Sequence, residues 1–199
     1  DSEVLIYVII AVILCLIVLE LALDSYVAPV LLLLNIGIAI LYNMGTNIFM
    51  GQISYITKAI SAVLQLGVTM DFAIFLYHSY MQEKETIKDN NEAMANAISK
   101  TFVSVLGSSL TTIAGFLALC SMNLTLGKDI GIVMAKGVLL GVISVVTVLP
   151  AMILELNNLI EKTKHKEILP KFTKVKNFVM KHYKAIAIAF LIILPVAFY

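Results

Sequence analysis

The sequence lacks arginine and carries little charge of either sign. All fourteen basic residues are lysines, so the chain has no planar guanidinium groups to hold phosphates or carboxylates through paired hydrogen bonds. The net charge is only +1, which gives no overall basic field to attract a nucleic acid. We therefore expect no nucleic-acid partner and look for function in the positions of single ionisable residues.

Cysteines and histidines are too few and too scattered to predict a metal or redox centre. Cys15 and Cys120 lie within apolar runs and fit no metal-ligand or redox spacing, so we expect them to behave as small apolar side chains. His78, His165 and His182 are far apart in the sequence. We predict no metal site and no cofactor.

Hydrophobic residues make up 60% of the 199 residues, and the mean hydropathy is +0.98. A soluble domain is about 45 to 50% apolar, so this composition indicates an integral protein of the cell membrane. A helix needs about 20 residues to cross the hydrocarbon core. The sequence predicts an all-α, polytopic transmembrane helical bundle over 1–155, with five complete spans at about 4–23, 26–44, 55–81, 98–121 and 130–155.

We expect this sequence to be a segment of a longer protein at both of its ends. The chain opens with Asp1, Ser2 and Glu3, without an initiator methionine or the basic start of a signal peptide. A further apolar run covers 185–199, but 15 residues of helix rise only about 22 Å, less than the core thickness. We expect this run to be the start of another transmembrane helix, and hence a truncated sixth span.

Lysine placement predicts the orientation, because loops on the cytoplasmic side retain positive charge. With residue 1 outside, the loops 82–97 and 156–184 are cytoplasmic, and eleven lysines fall on that side against two outside, Lys58 and Lys128. Lys136 lies within the fifth span, and we expect its side chain to extend outward to the membrane surface.

The two cytoplasmic segments have patterns of their own. In "DNNEAMANAISK", Asp89 precedes Glu92 by three residues as in a capping box, which predicts a short helix leading into the fourth span. The segment 156–184 contains apolar residues at helical spacing with lysines between them, which favours a basic amphipathic linker helix on an anionic membrane surface. A solvated basic linker is the alternative. The apolar residues concerned are Ile168, Phe172, Val175 and Val179.

One acid, Asp71, lies in the middle of the third span, in "GVTMDFAIFLYHSY". The nine Val, Leu, Ile and Phe residues of 60–79 favour insertion by about 3 to 5 kcal/mol, whereas the acid costs about 2.5 to 3.5. Asp71 lies thirteen residues, or about 20 Å, beyond Lys58. We expect it to be sheltered inside the bundle, where it either gains and loses protons or stays protonated and holds helices together.

Other residues could support a proton relay at Asp71. Gly67 lies one turn away on the same helical face and would let another backbone approach. His78 lies two turns away in the other direction and could pass protons on, or it is simply an interfacial histidine. In the fourth span, Thr111 or Thr112 could donate a hydrogen bond to the carboxyl.

Small residues predict close helix packing in the fourth and fifth spans. Gly137 and Gly141 form a small-xxx-small pair in the fifth span. The fourth span carries a stripe of small and hydroxyl-bearing residues, which we call the α4 stripe: Ser104, Gly107, Ser108, Thr111 and Gly115.

The region 55–155 resembles the resistance-nodulation-division superfamily, most closely the branch named after the large mycobacterial membrane proteins. That branch has a Gly-x-x-x-Asp-Tyr-Ala-x-Phe-Leu pattern in one transmembrane helix. Similar segments follow in order here: "SSLTTIAGFLAL", "LGKDIG", "GVLLG" and "LPA". The pattern itself stands in this chain as Gly67, Asp71, Phe72, Ala73, Phe75 and Leu76.

The resemblance implies a fold of two pseudo-repeated halves with six transmembrane helices each. Residues 1–155 would be helices two to six of the first half, and 185–199 would begin helix seven. Asp71 would be the proton-relay acid, acting with an acid of the second half, which lies outside this chain. Phe72 replaces the family's tyrosine, so one hydroxyl that could support the relay is missing.

The resemblance implies a proton-driven exporter of lipids or other hydrophobic compounds. Its expected partners are that cargo, protons, membrane lipids and the second half of the same polypeptide. Two alternatives remain open: a sterol-sensing-like module that binds lipid without transport, and a proton-driven accessory subunit of protein export. We do not expect an enzyme, because intramembrane aspartyl proteolysis needs two carboxyl groups and only Asp71 lies deep in a span.

Overall fold

The computed structural model describes residues 2–50, 53–122, 124–165 and 173–197. The chain divides into two compact units, 1–166 and 167–199. Among the described residues, the first unit contains six α-helices and a short 3₁₀ turn at Asn47–Met50, and the second contains one helix. The α-helices are α1 Ser2–Ala22, α2 Val27–Thr46, α3 Tyr55–Lys84, α4 Asn90–Leu119, α5 Thr125–Glu155, α6 Asn157–Lys162 and α7 Thr173–Ala197.

The predicted all-helical membrane bundle is confirmed, with a different number of full-length spans. Among the described residues, four helical segments are long and apolar enough to cross a membrane: Val27–Phe49, α3, α4 and α5. Ile6–Ala22, within α1, is a shorter apolar helix. The whole of α1, Ser2–Ala22, has 21 residues and rises about 31 Å, close to the thickness of a typical hydrocarbon core.

The fourth helix begins after Asp89, where the capping pattern predicts a short helix, and that segment and the membrane span form one continuous helix. Asn90–Leu119 runs for 30 residues, and the Asp89 side chain caps it by accepting a hydrogen bond from the Asn91 backbone N–H at 3.1 Å. No glycine or proline interrupts 90–98. The helix therefore continues through the point at which the apolar run begins.

α5 packs against α2, α3 and α4 and carries much of the core. Its glycines bring it close to its neighbours: a Cβ atom on Gly137 would lie 2.5 Å from Asn43 Nδ2. A Cβ atom on Gly141 would lie 2.6 Å from Thr69 Oγ1. Both distances are too short for a real contact, so only glycine permits this helix spacing.

The predicted cytoplasmic end of the bundle is tied together by polar contacts between α3, α4 and α6. Tyr80 donates a hydrogen bond to Asn157 Oδ1 at 3.1 Å, and Lys84 donates one to the same oxygen at 2.7 Å. Lys84 also forms an ion pair with Glu161. Buried Glu83 pairs with Lys100 of α4. These contacts hold α6 against the bundle.

The turn between α1 and α2 is held by the residues that follow α6. Tyr77 donates a hydrogen bond to Asp24 Oδ1 at 2.9 Å, and Lys164 forms an ion pair with Asp24 at 3.3 Å. Ser25 and Lys164 form an isolated β-bridge. The first ten residues of the predicted linker 156–184 therefore pack on the bundle, because Ile160 is buried and the backbone of this segment pairs with the turn.

α7 contains the junction between the predicted linker and the predicted start of the next span. His182 has φ −120° and ψ 20°, which kinks the helix two residues before 184. Val175 and Val179 are exposed within this unit. Ile168 and Phe172, which also define the predicted amphipathic face, lie outside the described residues.

Candidate functional site

Asp71 lies on an exposed face of α3, although its charge within an apolar run predicts a place inside the bundle. It lines an apolar groove of about 330 Å³ between α1 and α3. The reason is angular: Phe72 and Ala73, the next residues, are buried in the core, and each step along a helix turns by about 100°. The other residues of this groove, which we call the Asp71 groove, are Leu14, Cys15, Val18, Leu19, Gly67, Met70 and Ile74.

The residues predicted to support Asp71 lie in three different environments. Gly67 lines the groove with it, and a Cβ atom built there would meet nothing within 4 Å. Phe72 is 7% exposed and packs in the apolar core. His78 is exposed and lies about 10 Å further along the helix axis, with its ring near that of Tyr77.

The hydroxyls of Thr111 and Thr112 do not reach the Asp71 carboxyl. They donate to the backbone oxygen of Ser108 in their own helix, at 2.8 and 2.9 Å. Within the described part of the chain, no hydrogen bond or ion pair engages the Asp71 side chain. The Asp71 carboxyl therefore lines a groove but has no hydrogen-bond or ion-pair partner among the described residues of this unit.

The α4 stripe does not pack against another described helix. All five of its residues are exposed, and a Cβ atom on Gly107 or Gly115 would meet nothing within 4 Å. Only 11% of the α4 span is buried, against 44 to 50% for the spans of α2, α3 and α5. α4 therefore presents its close-packing surface outward, in contrast to Gly137 and Gly141 of α5.

Lys136 reaches the end of α2 that lies on the predicted outer side. Its ammonium donates to the Asn43 backbone oxygen at 3.0 Å and to the Asn47 side-chain oxygen. The last carbonyl groups of a helix have no partner within that helix. Lys136 therefore caps the end of α2.

Sequence reasoning missed a set of buried polar residues on the other side of α3. Thr57, Ser61, Gln65 and Thr69 are all 0% exposed. Their spacing of four was the available signal, since it places them on one helical face. These groups are neutral, so they change the hydropathy of the span much less than the charge of Asp71 does.

Comparison with known proteins places the chain in a family. The model of the MMPL family matches residues 1–174. The membrane protein ActII-3 of Streptomyces coelicolor is 33% identical over 147 residues, covering 69% of this chain and 20% of that protein. Membrane protein YdfJ of Bacillus subtilis is 25% identical over 122 residues, covering 61% of this chain and 17% of YdfJ.

A membrane protein of Methanocaldococcus jannaschii is 34% identical over 90 residues, covering 45% of this chain and 23% of that protein. No solved structure matches. The chain thus spans about a fifth of the length of these relatives. With its helical membrane bundle and a family match over 174 residues, the chain belongs to the MMPL family and is a multi-pass membrane protein.

Proposed function

We propose that this chain is part of a proton-driven membrane transporter that exports lipids or other hydrophobic compounds. Asp71 is the group that gains and loses the proton. The observation that carries this proposal is the position of Asp71, in an apolar groove on an exposed face of a 30-residue apolar helix. Intramembrane acids are costly and tend to mark ion pathways.

A second half of the same polypeptide would cover the exposed groups. An acid facing lipid is unfavourable, and small residues allow helices to approach closely. Both features occur on surfaces that this unit leaves open, at Asp71 and along the α4 stripe. The limited coverage of the relatives leaves ample chain length for such a half.

Proton transfer would act by changing helix packing at this interface. A charged carboxylate requires a polar partner or water, whereas a neutral carboxylic acid can pack against an apolar helix. Protonation from the outer side and release to the cytoplasm would favour different arrangements of the two halves in turn. Gly67, beside the acid, leaves room for the approach of a helix from the other half.

Hydrophobic cargo is supported by the character of the grooves on this unit. The Asp71 groove is mainly apolar. A second groove of about 260 Å³ lies between α1, α2 and α3. Its lining residues include Val12, Leu33 and Leu66. Grooves of this kind suit acyl chains or other apolar groups.

These grooves also favour a second candidate, a sterol-sensing-like module that binds lipid without transport. The two functions differ in their dependence on a proton gradient. A lipid-binding module should bind a fluorescent lipid equally well with and without an imposed pH gradient. The transporter should move that probe across the membrane only when the gradient is present.

Asp71→Asn tests the proposal in the intact protein reconstituted into proteoliposomes. We expect gradient-driven movement of the lipid probe to be lost, because an amide cannot release a proton, while the protein remains folded. Asp129→Asn is the matched control: this half-buried acid lies near the start of α5, away from the groove, and its replacement should leave transport intact. Gradient-driven transport that survives Asp71→Asn would refute the relay role.

A further inference from the structure

The face of α3 opposite Asp71 carries a regular series of buried polar side chains. Thr57, Ser61, Gln65 and Thr69 are each 0% exposed and are separated by four residues. Four residues of helix rise about 6 Å, so the series extends over about 18 Å. This face points into the bundle towards α2 and α5, away from the groove that holds Asp71.

Several polar atoms of this region have no hydrogen-bond partner among the described residues. They include the hydroxyl oxygens of Thr57, Ser61 and Thr69, the side-chain oxygen of Asn43 and the side-chain nitrogen of Asn35. Leaving a buried polar group unpaired costs free energy, and native proteins rarely do so. Because five such atoms lie in one interface, we expect them to share one kind of hydrogen-bond partner.

Hydrogen bonds across the interface join these groups into layers. Asn43 Nδ2 donates to Gln65 Oε1 at 2.7 Å, and Gln65 Nε2 donates to the Gly137 backbone oxygen at 3.0 Å. One layer deeper, Ser144 donates to Asn35 Oδ1 at 2.7 Å. Polar groups therefore extend from the start of α3 to about the depth of Asp71.

We call this set the polar column: Asn35, Asn43, Thr57, Ser61, Gln65, Thr69 and Ser144. We infer that the polar column binds a file of ordered water molecules between α2, α3 and α5. The polar groups recur about every 6 Å along α3, which is about the distance that two hydrogen bonds of about 2.8 Å to one bridging water would span. Buried water commonly satisfies polar groups that lack a protein partner.

The chemistry of the column favours water over an ion or a larger solute. Its unpaired atoms include an amide donor, an amide acceptor and hydroxyls that do both, and water can serve all of them. The ammonium of Lys136, at the predicted outer end, disfavours a cation there. The close approach of Gly137 and Gly141 to α2 and α3 excludes bulkier solutes.

The deeper end of the column is closed by apolar residues. Ala73, Leu76 and Leu149 are 0 to 1% exposed and belong to the main apolar cluster. Water would therefore enter from the predicted outer end and stop partway through the bundle. This path lies on the opposite face of α3 from Asp71 and does not depend on the relay proposed for that residue.

Two methionines of equal burial provide a direct test. Met134 is 0% exposed, lies on α5 one turn before Gly137 and is not part of the main apolar cluster. Met94 is 2% exposed and belongs to that cluster. Hydroxyl radicals generated by an X-ray pulse oxidise buried side chains that contact bound water. In the intact protein, mass spectrometry should show several-fold more oxidation of Met134 than of Met94.

The double variant Thr57→Val/Ser61→Ala removes two of the hydroxyls that would hold this water. We expect Met134 oxidation to fall to the level of Met94. Thr101→Val is the matched control, because Thr101 is also buried but its hydroxyl already donates to the Ala97 backbone oxygen at 2.8 Å. It should leave Met134 oxidation unchanged, as should Asp71→Asn.

Two results would overturn the inference. Equal, low oxidation of Met134 and Met94 in the unmodified protein would mean that the interface is dry. Strong oxidation of Met134 that persists in the double variant would mean that the polar column does not hold the water. Neither result would bear on gradient-driven transport, so this inference and the proposed function can fail separately.

Discussion

Residues two positions apart on α3 have opposite surroundings. Asp71 is exposed in an apolar groove, whereas Thr69 is 0% exposed and approaches Gly141. Positions separated by two residues point about 200° apart on a helix. A charge and a buried hydroxyl can therefore occupy the same depth without meeting. Substitutions on the face of α3 that carries Asp71 should alter activity, and substitutions on the face that carries Thr69 should alter stability.

Gly141→Ala should destabilise the protein. Its added methyl group would lie 2.6 Å from Thr69 Oγ1, and overpacking of this kind costs about 1 to 3 kcal/mol. For a domain of about 150 to 250 residues, each kcal/mol lowers the Tm by about 2 to 4 °C. Thermal unfolding in detergent measures the change.

Gly37→Ala is the control for that measurement. A Cβ atom at Gly37, within α2, would meet nothing within 4 Å, and alanine favours helix by about 0.5 to 1 kcal/mol over glycine. Its Tm should stay the same or rise. Equal Tm values for the two variants would show that α5 does not depend on glycine for its close approach.

At this scale the sequence identifies which residue is unusual but not what surrounds it. Asp71 is evident because charge is rare within an apolar run, yet its exposure depends on which face α5 covers. The hydropathy of the span does not mark Gln65 and Thr69 as unusual, because neutral polar residues barely change it. The hydrogen bonds of Lys136 are not indicated by the sequence, because the end of α2 that it caps lies more than 80 residues earlier in the chain.

Helices of the bundle are largely predictable because each corresponds to a long apolar run. Hydropathy alone predicts their polar ends less well: α4 begins eight residues before the apolar run at 98, and α3 continues to Lys84 rather than 81. The start of α4 is indicated instead by the capping pattern at Asp89. The extension of α3 carries Lys84, whose ion pair with Glu161 of α6 no periodicity in the sequence indicates.

α6 depends on an ion pair with a defined pH response. Lys84 donates a hydrogen bond to Glu161 and places its positive charge beside it, and both effects hold the pKa of this carboxyl below its ordinary value of 4.5. Stability from the pair is therefore complete above about pH 4.5 and is lost as the pH falls through the lower folded-state pKa. Glu161 is about half exposed, so its contribution should be under about 1 kcal/mol.

Glu161→Gln should lower stability slightly at pH 7, and this deficit should be smaller at pH 3, which lies below the ordinary carboxyl pKa of 4.5. Chemical denaturation followed between these values measures the difference. Glu155→Gln, at the end of α5, is the control and should follow the unmodified protein throughout. A Glu161→Gln deficit that stays constant down to pH 3 would exclude the ion pair as its cause.

The molecule as a whole leaves one of its membrane helices mostly uncovered. α4 is the least buried of the four full-length spans among the described residues, and its small residues face outward. If the second half packs there, a large side chain at Gly107 should disrupt the assembly of the intact protein. We expect Gly107→Leu to lower the Tm by several degrees and to reduce transport.

Val103→Leu provides the comparison for this substitution. Val103 lies one turn before Gly107 on α4, is 75% exposed and is not part of the α4 stripe. A slightly larger apolar residue there should be tolerated. If Gly107→Leu and Val103→Leu behave alike in the intact protein, the α4 stripe faces lipid rather than a second half.

The pairing of Ser25 with Lys164 attaches the segment that follows α6 to the turn between α1 and α2. His165 donates its backbone N–H to the Asp24 backbone oxygen at 2.8 Å, so the attachment consists of main-chain bonds as well as an ion pair. Since α1 forms one wall of the groove around Asp71, a displacement of this segment would move that wall.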